Sequence, residues 1–305
     1  MTVMTNRVLR AVALLEAAIA VLSFTPVSRL HQRRPAETTA FLNARYVATV
    51  AEFCIEQKTE TLTLKRLPAG NWLGTNGSII FPVDSERMER FIAALTTPRK
   101  LYLISSRVHA LERYELDTAL TTTVSYRNNM NSYTKVDFGN QNSITARRRC
   151  MIAGRTGIYE TADDIAPFLS VRANDWADPY LVSPVMFGTT TAEDIQSISF
   201  TSDGTATYLT SGTAAFSAAV RTMLSLRHGA LVPISQHGET TDGARLVMGK
   251  GDGSAIYVSF APRADGGQTV MLSAPSGATS SAPAPFSYAV EISAWTYERI
   301  AALFK

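Results

Sequence analysis

The order strand, strand, helix, meander, helix occurs twice in this chain, and it constrains the fold more than any single motif. In the first half, "TETLTLKRL" sets Leu62 and Leu64 on one face and Thr61, Thr63 and Lys65 on the other, the period of a half-buried strand. "PAGNW" supplies turn residues, and Trp72 opens a second short strand that runs through "SIIF". "VDSERMERFIAAL" then places Met88, Phe91, Ile92 and Leu95 on one side of a helix, with Asp84 or Ser85 as N-cap and Pro98 as its stop. Strand segments follow at "KLYLIS", "TTTVSYRN", "YTKVDFG", "ARRRCMIA" and "GIYET", and "ADDIAPFL" reads as a closing helix capped by Asp163 or Asp164.

The second half runs in the same order. "DIQSISFTSDGTATYL" is two strands about an Asp203-Gly204 turn, a hairpin signature. "AAFSAAVRTMLSL" is a helix with Phe216, Val220, Met223 and Leu224 on its apolar side. "ARLVMGK", "AIYVSFAP" and "QTVMLSA" form a meander, and "SYAVEIS" leads into the helix "AWTYERIAALF". Aligning the halves pairs Phe91 with Val220 and Phe168 with Phe304, so the reading is an internal duplication. The expected fold class is α+β: two related units of antiparallel β-meander with packed helices, after an N-terminal transmembrane helix. The expected divisions are an N-terminal segment over 1–34, a first unit over 35–188 and a second over 189–305. The Ser-, Ala- and Pro-rich "SAPSGATSSAPAP" reads as a loose insertion inside the second unit.

Residues 11–28, AVALLEAAIAVLSFTPVS, carry one charge, Glu16, behind Arg7 and Arg10. At helical rise eighteen residues reach about 27 Å, near the minimum for crossing a hydrocarbon layer of about 30 Å. No clear small-residue cleavage site follows, so an uncleaved signal anchor is preferred to a removed signal peptide. Arg29, Arg33 and Arg34 nearly balance the basic residues on the near side; the short leading tail favours a body outside the cytoplasm.

Composition excludes several classes. A net charge of +3, with one dense basic run at Arg147, Arg148 and Arg149 and Arg155 nearby, lacks the basic face of a nucleic-acid binder, so no nucleic-acid partner is expected. Cys54 and Cys150 have no C-x-x-C spacing, and no metal or cofactor is expected. In an oxidising compartment the two cysteines could close one disulfide, worth about 4–5 kcal/mol in the chain-entropy model; two free thiols is the competing reading. His31, His109, His228 and His237 sit in no nucleophile motif, and "MGKGDGSA" lies between strands, as a hairpin turn rather than a phosphate loop. Asp175 and Asp178 offer too few oxygens for a calcium loop. No catalytic, cofactor or metal residue is assigned, and the chain is read as a non-enzyme.

Three segments of the first half, "LERYELDTALTTTVSY", "GIYETADDIAPFL" and "DWADPYLVSP", resemble the family catalogued as domain of unknown function 4340, and with the N-terminal helix the likeness spans roughly the first 190 residues. Gly139-Asn140 stands where that family has a Gly-Lys turn. The resemblance implies a bacterial inner-membrane protein, single-pass with an extracytoplasmic (periplasmic) body, often encoded beside an ABC-type exporter and a gliding-motility-like protein. It carries no catalytic residues over. Two functions follow as expectations: an accessory or scaffold protein with partners in an envelope or transporter complex, or a module in which Trp72, Trp176 and Trp295 line a cleft for a lipid, glycan or peptide.

Overall fold

In the computed structural model the described residues are Glu16, 35–106, 111–116, 121–128, 133–188, 191–236, 243–274 and 286–305. Two antiparallel sheets organise them. The first takes β1 (Glu37–Thr39), β2 (Val50–Gln57), β3 (Glu60–Arg66), β4 (Trp72–Asn76), β5 (Ile79–Pro82), β6 (Arg99–Ser105), β7 (Thr122–Asn128), β8 (Tyr133–Gln141), β9 (Arg148–Ile152) and β10 (Ile158–Thr161) in the order β1-β6-β10-β9-β8-β7-β2-β3-β4-β5. The second takes β11 (Ile195–Ser202), β12 (Thr205–Thr210), β13 (Leu231–Val232), β14 (Arg245–Lys250), β15 (Ala255–Pro262), β16 (Gln268–Ala274) and β17 (Phe286–Ile292) in the order β12-β11-β14-β15-β16-β17-β13.

These orders are one connectivity. Reading β2 as β11, β3 as β12, β6 as β13 and the β7 to β10 meander as β14 to β17 superposes the two strand orders, with β1 and the β4–β5 hairpin as additions to the first. The helices α1 (Ser85–Thr96) and α4 (Ala214–Ser225) occupy the same place in that order, and Phe91 and Val220, each the seventh residue of its helix, are both 0% exposed. Between the sheets lie two short helices, α2 (Ala173–Trp176) and α3 (Pro184–Phe187); α5 (Ala294–Ala301) closes the chain with a 3-10 turn that buries Phe304.

The expected fold class is therefore corrected. Antiparallel strands dominate both units, and the molecule is β-rich rather than α+β. The "ADDIAPFL" segment shows why: it makes only one 3-10 turn, Ala166–Phe168, with no side-chain cap. Asp163 and Asp164, expected as caps, are engaged instead by Arg148 and Arg99. Similarly, Gly77 at φ 56° breaks the single expected strand after Trp72 into the β4–β5 hairpin. No helix among the described residues is long and apolar enough to cross a membrane. The expected spanning run, residues 11–28, lies outside them except for Glu16, as do His31, His109, His237 and the insertion's residues 275–285.

Each sheet buries one face. Phe53, Ile55, Leu62, Leu64, Val124 and Phe138 point into the core, where Phe53 meets Phe91 of α1, and their neighbours Cys54, Thr63, Ser125 and Lys135 point to the other side. The 169–188 stretch between the sheets is core rather than a loose connection. Trp176, Leu181, Ser183 and Met186 are fully buried. Backbone bonds tie the stretch to both units: Asp178 N–H donates to Pro82 at 2.9 Å, Leu181 N–H to Leu226 at 2.8 Å, and His228 N–H to Pro179 at 3.1 Å. The Tyr288 hydroxyl, from the middle of β17, donates to the Leu181 carbonyl at 2.6 Å.

Candidate functional site

The outer face of the first sheet carries a concavity. Its floor is the solvent-side residues of the central strands: Glu56 on β2, Thr61 on β3, Thr123 on β7, Lys135 and Asp137 on β8, and Met151 on β9. One wall is the 111–116 turn, which contributes Leu111 and Leu116 to a cleft of about 710 Å3. Two local features let that turn lie on the sheet. Glu115 adopts the left-handed conformation at φ 58°, which reverses the chain. Beneath it, β8 bulges: Phe138 pairs with Cys150 and Gln141 with Arg148, so β8 spends one more residue than β9. Gly139 sits in the bulge, where a Cβ would stand 3.0 Å from the Glu115 carbonyl oxygen and 3.2 Å from that of Tyr114. A side chain here would require that backbone to give by a few tenths of an ångström. Gly139-Asn140, read from sequence as a turn, is thus an in-strand bulge.

Lys135 and Asp137 form an ion pair in the cleft, and Glu56 and Lys58 add further charge to its lining. Asp137, only 7% exposed, accepts from the Thr123 hydroxyl at 2.6 Å and faces Lys135 Nζ at 3.2 Å. Arg149 clamps the wall by bonding Glu115 at 2.8 Å. Cys54 lies on the same outer face, its Sγ 3.5 Å from Glu56 Oε1. Burial, reinforced by the Glu56 carboxylate, pushes this thiol up to about 11. It is a weak nucleophile at neutral pH, because the reactive species is the thiolate. What the cleft offers is an array of hydroxyl, ammonium and carboxylate groups for hydrogen bonding.

The other sequence candidates do not converge on it. Cys150 is fully buried on the opposite face, paired with Phe138. Two strands separate β9 from β2, so the cysteines stand about three strand spacings, or about 14 Å, apart, beyond disulfide reach; both are free. The basic run is spent internally: Arg147 stacks over Tyr102 at 3.6 Å, Arg148 bonds Asp163 and the Gly139 carbonyl, and Arg155 pairs with Glu37. Trp72 and Trp176 are core residues, whereas Trp295 is 66% exposed, so the three line no common cleft. His228 Nε2 lies 2.8 Å from the Asp178 carbonyl oxygen and helps hold the second unit to the 169–188 stretch. Asp178 is itself buried, accepting from the Ser183 hydroxyl at 2.5 Å and the Tyr180 amide at 3.1 Å. Asp175 instead bonds the Ser170 hydroxyl. Among the described residues no three of His, Cys, Asp and Glu gather where they could hold a metal ion.

Sequence reasoning did not find Glu115, Gly139 or the Thr123–Asp137 pair as parts of one site. The only available signal was the resemblance of the 111–116 segment to a family motif.

Fold and cleft define a β-rich protein that presents a broad, polar, antiparallel sheet face walled by one turn. Residues 72–215 match the model of the family described as Domain of unknown function (DUF4340), the family that the segments around Leu111, Gly157 and Asp175 resemble. The match starts at β4 and ends in the first turn of α4, so it begins later and reaches further than the expected first 190 residues. It includes the 111–116 turn, β7, β8 and the whole 169–188 stretch. No curated protein matches the chain.

Proposed function

We propose that this protein is a non-catalytic accessory module that binds a partner protein across the outer face of its first sheet. In this reading the apolar run of residues 11–28 holds it at a bacterial inner membrane, its body lies outside the cytoplasm, and it works beside an ABC-type export or gliding-like envelope complex. The observation that carries the reading is the 111–116 turn on the Gly139 bulge, a feature inside the family-matched stretch that walls a wide, solvent-open cleft. Small-molecule sites are enclosed and mostly apolar. This one is polar and open, with hydroxyl, ammonium and carboxylate groups spread across its floor, which suits a protein surface bearing its own hydrogen-bonding groups.

The test places a photo-crosslinking residue at Thr61, on the cleft floor, in the full-length chain in its native membrane. A discrete adduct with a transporter or envelope protein, lost in Gly139→Val, is expected. Adducts of equal yield from Ser287, on the second sheet, would oppose the reading.

The alternative, a ligand-binding module, draws on a different feature. A groove of about 500 Å3 runs beside α4, lined by Tyr180, Phe216, Val220 and Leu224 among others. Under this alternative a lipid, glycan or peptide would raise the melting temperature, by about 2.7 kcal/mol of stability at 100 times its dissociation constant, and Val220→Ala would abolish the gain.

A further inference from the structure

The two sheets differ at one equivalent edge. In the first, β3 is continued by β4, which pairs with it antiparallel from Leu62↔Asn76 to Arg66↔Trp72. In the second, the equivalent strand is β12, and among the described residues no strand pairs with its outer side. Exposed edges normally carry a lysine, a proline or a bulge that blocks further pairing. β12 reads TATYLT, with none of these, and its register with β11 is regular throughout.

The backbone of β12 is set for one more strand. Asp203 and Gly204, at φ 51° and 74°, form a two-residue type I′ turn, which closes on the Ser202–Thr205 pair. Alternation from that closing pair directs Thr205, Thr207 and Leu209 at β11, and the Ser211 N–H bond to the Gln196 carbonyl keeps the same parity. Ala206, Tyr208 and Thr210 therefore turn their N–H and C=O groups outward. Tyr208 is 73% exposed, the highest value among the large hydrophobic side chains of the described residues.

We propose that this edge pairs with the same edge of a second copy of this chain, antiparallel about Tyr208, to make one continuous fourteen-stranded sheet from two seven-stranded ones. Tyr208 meets Tyr208 of the second copy, and Ala206 meets Thr210, so each outward-turned residue meets another. A two-fold axis normal to the sheet keeps both outer faces on one side. No charge of β12 meets a like charge, because the strand has none. The same pairing brings the Asp203 turn of one copy towards the end of β12 that leads into Thr213, the N-cap of α4, in the other copy, a helix with no acidic residue in its first turn. A carboxylate there complements the positive end of the helix dipole.

The test measures the mass of the full-length chain in detergent by light scattering, across two decades of concentration. The result expected is a two-chain mass that falls to one chain in the double variant Ala206→Lys/Tyr208→Lys, whose far-UV circular dichroism matches the parent. Mild oxidation is expected to cross-link Tyr208→Cys to a dimer and to leave Tyr257→Cys, an exposed tyrosine on the same face three strands inward, as a single chain. A one-chain mass at every concentration would overturn the proposal. So would a two-chain mass that survives the lysine pair, or a different protein held at β12 by a chain that is itself monomeric.

Discussion

Replacing Tyr288 by Phe removes one oxygen atom and no packing volume. That atom lies between the two units: it donates to the Leu181 carbonyl at 2.6 Å and accepts from the Ser183 N–H at 3.4 Å. Tyr288 is 0% exposed, and burial holds its phenol far above its usual range, so the hydroxyl is present at every accessible pH. Without it a buried carbonyl loses its short partner, and leaving such a group unpaired costs about 1–3 kcal/mol. At roughly 2–4 °C per kcal/mol for a domain of this order, the melting temperature falls by about 2–12 °C. Differential scanning calorimetry of the full-length chain is the assay, with Tyr257→Phe as control, because that tyrosine is 44% exposed on the same sheet. The shift is expected in one transition that takes both units with it. No shift, or an early transition confined to one unit, would refute the coupling attributed to the 169–188 stretch.

Three further outcomes follow from the same structure. Burial raises the Asp178 carboxyl above its ordinary range, against the downward pull of the Ser183 hydroxyl and Tyr180 amide. Between the unfolded value, about 4, and the raised folded one, the folded protein binds more protons than the unfolded chain, so stability falls as pH rises through that window. Asp178→Asn should flatten this part of the urea-midpoint profile, and parallel profiles for parent and variant would contradict it. Cys54 and Cys150, with thiols raised to about 11 and about 12, should both titrate as free thiols in denaturant and alkylate slowly in the native protein; recovering thiols only after reduction would disprove it. Gly139→Val sets a branched side chain against two backbone carbonyls, so the 111–116 turn is expected to shift away from β8 and to loosen the Arg149–Glu115 pair. The expected cost is about 1–3 kcal/mol in denaturation, and an unchanged midpoint would show that the turn is not seated as described.

Local physics was legible in the sequence where it decided the outcome. Leu62 and Leu64 against Thr61 and Thr63 put β3 on the right face, Asp84 caps α1 by accepting from the Glu86 and Arg87 amides, and Asp203-Gly204 turns the β11–β12 hairpin. What was not legible depends on partners far along the chain. Asp163 and Asp164 look like caps until Arg148 and Arg99 approach from other strands. β6 follows α1 in sequence yet pairs with β10 and β1, and no pattern within β6 encodes those partners. The cleft escaped notice for the same reason: it needs the left-handed Glu115, the bulge at Gly139 and the Arg149 clamp together, three residues from three segments. The α+β expectation overvalued short apolar runs that tertiary contacts fold as single turns.

Hydrogen exchange across residues 176–187 tests most directly whether the two sheets form one welded body. The account predicts amide protection there equal to that of β8 and β15, the middle strands of the two sheets, because the Asp178 and Leu181 amides are buried and bonded into opposite units. Exchange at the rate of an exposed linker, with both sheets still protected, would contradict it.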